Sequence, residues 1–238
     1  MSHISGSARV ALALSLALGL TGIAAPQSAF AVCTGRSSSP GYWFDGWGIQ
    51  NAGSTVGGVY AQIENQNVVA STGVGTTAWV MISNASTPQY YAQVGWIQHA
   101  NGNRNTMLQV HDPTSGLTTR TSDDPQSVGS YPYYTVLYNS VPGKFTFQVA
   151  GANHPWSGYQ VTAGFTPNQA SIMGETQNRA NQMPGTTSDA LGFFDAHKYV
   201  SGSWQNFGGS AFATGGASWL QYDGPYYGTT HYIWDGAC

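Results

Sequence analysis

Gln93 and Glu175 have residue types and settings that suit acid–base work on a polar substrate. In Tyr91-Ala92-Gln93-Val94-Gly95-Trp96, strand alternation puts Gln93 on one face with Tyr91 and Gly95, and turns Ala92, Val94 and Trp96 to the other. Gly95 leaves room beside the amide for a ligand or another backbone to approach. In Ala170-Ser171-Ile172-Met173-Gly174-Glu175 the carboxylate ends a mostly apolar strand, sharing a face with Met173 and Ser171. Desolvation there is expected to raise its pKa. Glutamate occurs only at Glu64 and Glu175, so a glutamate-dependent chemistry has few candidates.

Other chemistries find less support. The chain has no nucleophile elbow, phosphate loop or metal-ligand spacing in the correct context, and no metal or cofactor is expected. His99, His111, His154, His197 and His231 are scattered one per segment. His111-Asp112 with a serine would be a triad only by tertiary geometry. Asp123-Asp124 reads as a solvated acidic turn rather than a Ca²⁺ site. A glycosidase needs two carboxylates flanking one bond, and only Glu64 meeting Glu175 across the fold could supply them.

These residues must be positioned by strands. Residues 59–64, 78–82, 90–98, 106–110, 133–138, 144–149, 170–176, 197–200 and 217–222 are short alternating runs. Turn signals such as Gly57-Gly58, Asn101-Gly102-Asn103, Asp112-Pro113 and Pro142-Gly143 separate them. No segment beyond the N-terminus shows a helical period. The pattern predicts an all-β protein, an antiparallel β-sandwich or barrel, in one domain over residues 32–238.

Charge narrows the partners. Lys and Arg number 7 and Asp and Glu 10, together 7% of the chain, with a net charge of -3. Without a basic run, neither a nucleic acid nor an anionic membrane surface is an expected partner. Aromatic content of 13% supplies ample core, so disorder is excluded. The small number of ion pairs open to protonation also predicts tolerance of acid.

Residues 1–31 read as a secretory signal peptide: Arg9, the apolar stretch Val10 to Leu20, then the small-x-small site Ala29-Phe30-Ala31. A secreted, extracellular, monomeric protein is expected. Cys33 and Cys238 would then join the two ends of the mature chain in a disulfide, worth ~4 to 5 kcal/mol in the loop-entropy account. Lipidation of Cys33 is the alternative, disfavoured by Val32 before it.

Taken in order, Ala78-Trp79-Val80-Met81-Ile82, then Gln93 before Gly95, then Glu175 far downstream resemble the glutamic peptidases of the eqolisin type, and more distantly the neprosin type. That group has an Ala-Trp-Val-Gly-Ile strand, a second strand with the catalytic Gln, and a late strand with the catalytic Glu. Met81 stands here where the group has Gly. The resemblance implies a lectin-like (concanavalin A-like) β-sandwich and an endopeptidase active in acid, with Gln93 and Glu175 catalytic and Trp79 lining the substrate cleft. A raised carboxylate can take a proton from attacking water and return it to the leaving amine, while a neutral amide donates to the oxyanion. The rival reading is a non-catalytic carbohydrate-binding module, since Tyr42-Trp43-Phe44, Tyr131 to Tyr134 and Tyr226-Tyr227 lie among Asn, Gln and Asp.

Overall fold

The computed structural model describes residues 39–49, 54–70, 75–125, 127–150, 158–213 and 217–238. The signal segment, Cys33 and with it the pairing to Cys238, and His154 lie outside them.

The described residues form strands and turns without a helix, arranged as two antiparallel sheets. The first sheet runs β13 (Ser210–Ala213), β1 (Pro40–Ile49), β10 (Gln169–Asn178), β3 (Thr76–Asn84), β4 (Thr87–Gln98), β5 (Arg104–Asp112), β6 (Gly116–Pro125). The second runs β14 (Leu220–Tyr226), β15 (Thr230–Asp235), β11 (Leu191–Val200), β2 (Val56–Ile63), β7 (Tyr133–Tyr138), β8 (Lys144–Ala150), β9 (Tyr159–Thr162), with β12 (Ser203–Asn206) paired to β11. The expected β-sandwich is the observed one.

Alternation decides what each face carries. Ala78, Val80 and Ile82 of β3 and Ala92, Val94 and Trp96 of β4 enter the core between the sheets, against Tyr134, Phe145, Phe147 and Phe193 from the second sheet. The intervening residues emerge on the outer face of the first sheet. There Trp79, Ile97, Met107 and Met173 form a second apolar cluster, with Phe44, Met81 and Phe212 packed against it. This apolar layer lies outside the space between the two sheets.

Strand β1 breaks the simple pattern. Its sequence, Pro-Gly-Tyr-Trp-Phe-Asp-Gly-Trp-Gly-Ile, gives little alternation to read, yet it is hydrogen-bonded on both sides, to β10 and β13. Glycines serve here because the strands approach closely: a Cβ at Gly46 would lie 2.2 Å from the Ile172 carbonyl oxygen. Asp45 of the same strand is 1% exposed, and burial pushes its carboxyl up to about 8. The backbone amides of Gln221 and Gly46 approach it but fall short of hydrogen-bond geometry. The folded protein therefore holds Asp45 as a neutral acid.

The space beside Gln93 that Gly95 leaves is taken by backbone. A Cβ at Gly95 would sit 1.9 Å from the Ala78 carbonyl oxygen and 2.6 Å from Trp79 Cα. The missing side chain thus lets β4 close on β3 beneath Trp79. Replacing Gly95 by Ala is expected to cost about 3 kcal/mol or more, because the obstacle is backbone that cannot rotate away. Urea denaturation of Gly95→Ala measures this, and an unchanged midpoint would show that β3 and β4 can separate freely.

Candidate active site

Strand register places the chemistry-bearing residues on the outer face of the first sheet. One row aligns Gln93 with Met81 and Ser171; the next aligns Gly95 with Trp79 and Met173; a third aligns Ile97 with Thr77 and Glu175. Phe44 follows Glu175 in that third row, on β1. Gln93 and Glu175 therefore look onto the same cleft from strands separated by β3, offset by four residues, with Trp79 on the diagonal between them. In a flat sheet their Cα atoms would lie about 16 Å apart. The cleft has a volume of about 780 Å³ and is lined by both of them, by Trp79, Met81 and Tyr91, and by Tyr42 and Phe44 at one rim.

Glu175 is 7% exposed. Its Oε2 accepts a hydrogen bond from the Trp79 indole Nε1 at 3.1 Å. Burial pushes the carboxyl up to about 7, and hydrogen bonds from Trp79 and Gln177 oppose the rise without cancelling it. Thr77, level with Glu175 in the third row, and Ser171, level with Gln93 in the first, have buried hydroxyl oxygens with no hydrogen-bond partner among the described residues. A buried acid held near neutrality in a cleft is the kind of group that proton transfer requires.

Gln93 is 3% exposed, and its Nε2 donates to Gln109 Oε1 at 2.8 Å. The Tyr91 hydroxyl reaches the same Gln109 oxygen at 3.5 Å. Burial, then the nearby Glu175 and Tyr42, pushes the Tyr91 hydroxyl up to about 12, so it stays a donor throughout the physiological range. Apart from Glu175 the cleft wall is uncharged, its polar groups being supplied largely by Gln89, Gln93, Gln109, Gln169 and Gln177. Its surface is neutral apart from that one carboxyl, part apolar and part amide.

The other candidates fall elsewhere. Glu64 caps β2 in the second sheet, accepting from the Tyr131 hydroxyl at 3.1 Å and Gln66 Nε2 at 3.3 Å, and it does not line the cleft. The structure does not bring Glu64 and Glu175 to one bond. His197 stacks on Tyr60, while His231 is buried against Trp47 and Phe207. Among the described residues no group of three or more His, Cys, Asp or Glu could hold a metal ion. Gln109 and Tyr91 escaped the sequence reading as site residues. Alternation puts Tyr91 on the face of Gln93, but only register shows that Gln109 is the residue opposite.

No family model matches the sequence, and no curated protein matches it. Solved structures do match. Scytalido-glutamic peptidase with a peptide-based transition state analogue superposes with a TM-score of 0.60 at 13% identity, covering 84% of this chain and all of that one. SCP-B, a member of the eqolisin family in complex with the tripeptide Ala-Ile-His, gives a TM-score of 0.58 with the same identity and coverage. The fold is that of the glutamic peptidases. Both sheets enter that likeness, since the match runs over most of the described chain.

The buried acids set how stability depends on pH. Folded Asp45 and Glu175 keep their protons up to about 8 and about 7, whereas the ordinary values are 3.8 and 4.5. Between those limits the folded state binds more protons than the unfolded chain, so stability falls as pH rises, by about 1.4 kcal/mol per pH unit for each group. His231 acts oppositely: burial lowers it from 6.5 to about 4, so it costs stability as pH falls through that range. Two groups outweigh one. The melting temperature is expected to decline from about pH 4.5 to pH 8, and Glu175→Gln should flatten the decline only between 4.5 and 7. Thermal melts across that range check this; a maximum near pH 8 would contradict it.

Proposed function

We propose that this chain is a secreted glutamic-type endopeptidase that hydrolyses peptide bonds of protein substrates laid along the outer cleft of the first sheet, with Glu175 and Gln93 as catalytic residues and Trp79 as a substrate-binding residue. The observation that carries this reading is Glu175: a lone buried acid, poised near neutrality, in the cleft of a glutamic-peptidase fold. Secretion rests on the N-terminal segment, and a disulfide between Cys33 and Cys238 is part of the same proposal. No cofactor is invoked.

In this mechanism the Glu175 carboxylate takes a proton from a water whose oxygen bonds to the scissile carbonyl carbon. The carbonyl π electrons move to oxygen, and an N–H of Gln93 donates to the resulting oxyanion. Glu175 then passes the proton to the amine as the C–N bond breaks. The two side chains need not touch. A string of carboxylate, water, carbonyl and amide, with hydrogen bonds near 2.8 Å and an attack distance near 3 Å, spans about 10 Å when extended. Trp79 holds one end of it by its bond to Glu175 and floors the space between.

A base that ionises near 7 gives a definite pH response. Although acid activity is the expectation from sequence, kcat/KM should climb with pH up to a limb near 7, since only the ionised carboxylate can accept the proton. Activity and stability would therefore run in opposite directions between pH 4.5 and 7.

A second reading is favoured by Met81 and Trp79, which occupy the floor between Gln93 and Glu175: a groove that binds a neutral peptide or glycan without cutting it. Cleavage of denatured protein separates the two. The peptidase reading expects cleavage by the wild type that resists serine, metal and aspartic inhibitors, falls by at least about 100-fold in Glu175→Gln and Gln93→Ala, and persists in Glu64→Gln. Absence of cleavage from pH 3 to 8, together with unaltered binding in Glu175→Gln, would establish the groove instead.

A further inference from the structure

A catalytic amide is useful only if it faces the right way. The side-chain amide of glutamine presents two N–H donors on one side and a carbonyl on the other, and a half-turn about its last bond exchanges them. For Gln93 to stabilise an oxyanion, an N–H must point where the negative charge develops. The carbonyl in that place would repel it.

Three residues in one register row address this. Gln93 of β4 pairs with Gln109 of β5, which pairs with Thr119 of β6. Their side chains all emerge on the outer face. Gln109 Nε2 donates to Thr119 Oγ1 at 3.2 Å, which turns Gln109 Oε1 toward β4. That oxygen accepts from Gln93 Nε2 at 2.8 Å and is approached by the Tyr91 hydroxyl at 3.5 Å. Reversing Gln93 alone would set two carbonyl oxygens against each other, so Gln93 and Gln109 are coupled and turn only together. One N–H of Gln93 is thus fixed on Gln109, and the second N–H and the carbonyl are left for a ligand.

We infer that Gln109 is a positioning residue: by accepting from Gln93 Nε2, with Thr119 bonded to its other end, it fixes the Gln93 amide with one N–H engaged and the second N–H and the carbonyl left to meet a substrate. This inference rests on the peptidase reading for its catalytic consequence, while the orientation itself stands on the hydrogen bonds alone. Glu175 takes no part in the row, so Gln93 is set by β5 and β6 and the carboxyl by β3 and β10. The two halves of the site are positioned independently.

The experiment compares wild type, Gln109→Met and Gln109→Glu. Methionine keeps the length and removes the acceptor; glutamate retains it. With peptide cleavage as readout, Gln109→Met is expected to lower kcat by about 10- to 100-fold with KM changed less than about threefold, and Gln109→Glu to recover most of kcat above the carboxylate's pKa. The independent readout is the side-chain amide of Gln93, assigned by its disappearance in Gln93→Ala. In wild type its two proton resonances should be separate and slowly exchanging, and in Gln109→Met they should shift and exchange faster. Wild-type kcat in Gln109→Met overturns the inference, as does an unmoved Gln93 resonance. Should the wild type cleave nothing, the peptidase reading fails and the resonance still decides the orientation.

Discussion

The bond from the Trp79 indole to Glu175 joins the apolar layer outside the first sheet to the one carboxyl lining the cleft. Trp79 is 2% exposed, so the ring that donates the hydrogen bond also contributes to the burial that makes Glu175 difficult to ionise. One N–H donor lowers the pKa of a carboxyl and desolvation raises it, and here burial is the larger effect. Trp79 can occupy its place because Gly95 lets β4 close against β3. The backbone contact, the indole and the acid form one chain of dependence from packing to chemistry.

Asp45 shows the same balance without the cleft. It lies on β1, in the interior of the strand that flanks β10, and with Asp235 as an unfavourable neighbour it stays neutral in the folded state. A protein with few charges would be expected to tolerate acid for want of salt bridges to lose. The structure adds a second cause: buried Asp45 and Glu175 already hold their protons in mild acid, so further acid removes no charge from these two. Asp112 runs the other way: hydrogen bonds from Ser115 and Thr114 outweigh its burial and hold its carboxyl low, so its protonation in strong acid costs stability.

Much of the site was legible in the chain because a strand has a period of two. Parity showed which neighbours share a face with Gln93 and with Glu175, the resemblance placed Trp79 beside them, and an apolar setting foretold the direction of the Glu175 shift. The order of the three segments pointed to the sandwich. What parity cannot supply is register. That Met81 sits level with both Gln93 and Ser171, that Trp79 lies between Gln93 and Glu175, and that Gln109 faces Gln93 are tertiary facts. Strands β1 and β6 were missed for opposite reasons. The first hides its alternation behind glycines needed for close approach, and the second, Gly-Leu-Thr-Thr-Arg-Thr, is too polar to mark a buried face.

Because the chain has only two glutamates, the ionisation of Glu175 can be observed without interference. Glutamate labelled with ¹³C at the side-chain carboxyl yields two resonances, and Glu64→Gln leaves one. A titration midpoint of that resonance near 7 is the result this account predicts. A midpoint near 4.5 in the wild type would mean that the carboxyl is solvated, and would contradict the account of the cleft as a dry site built around a neutral acid.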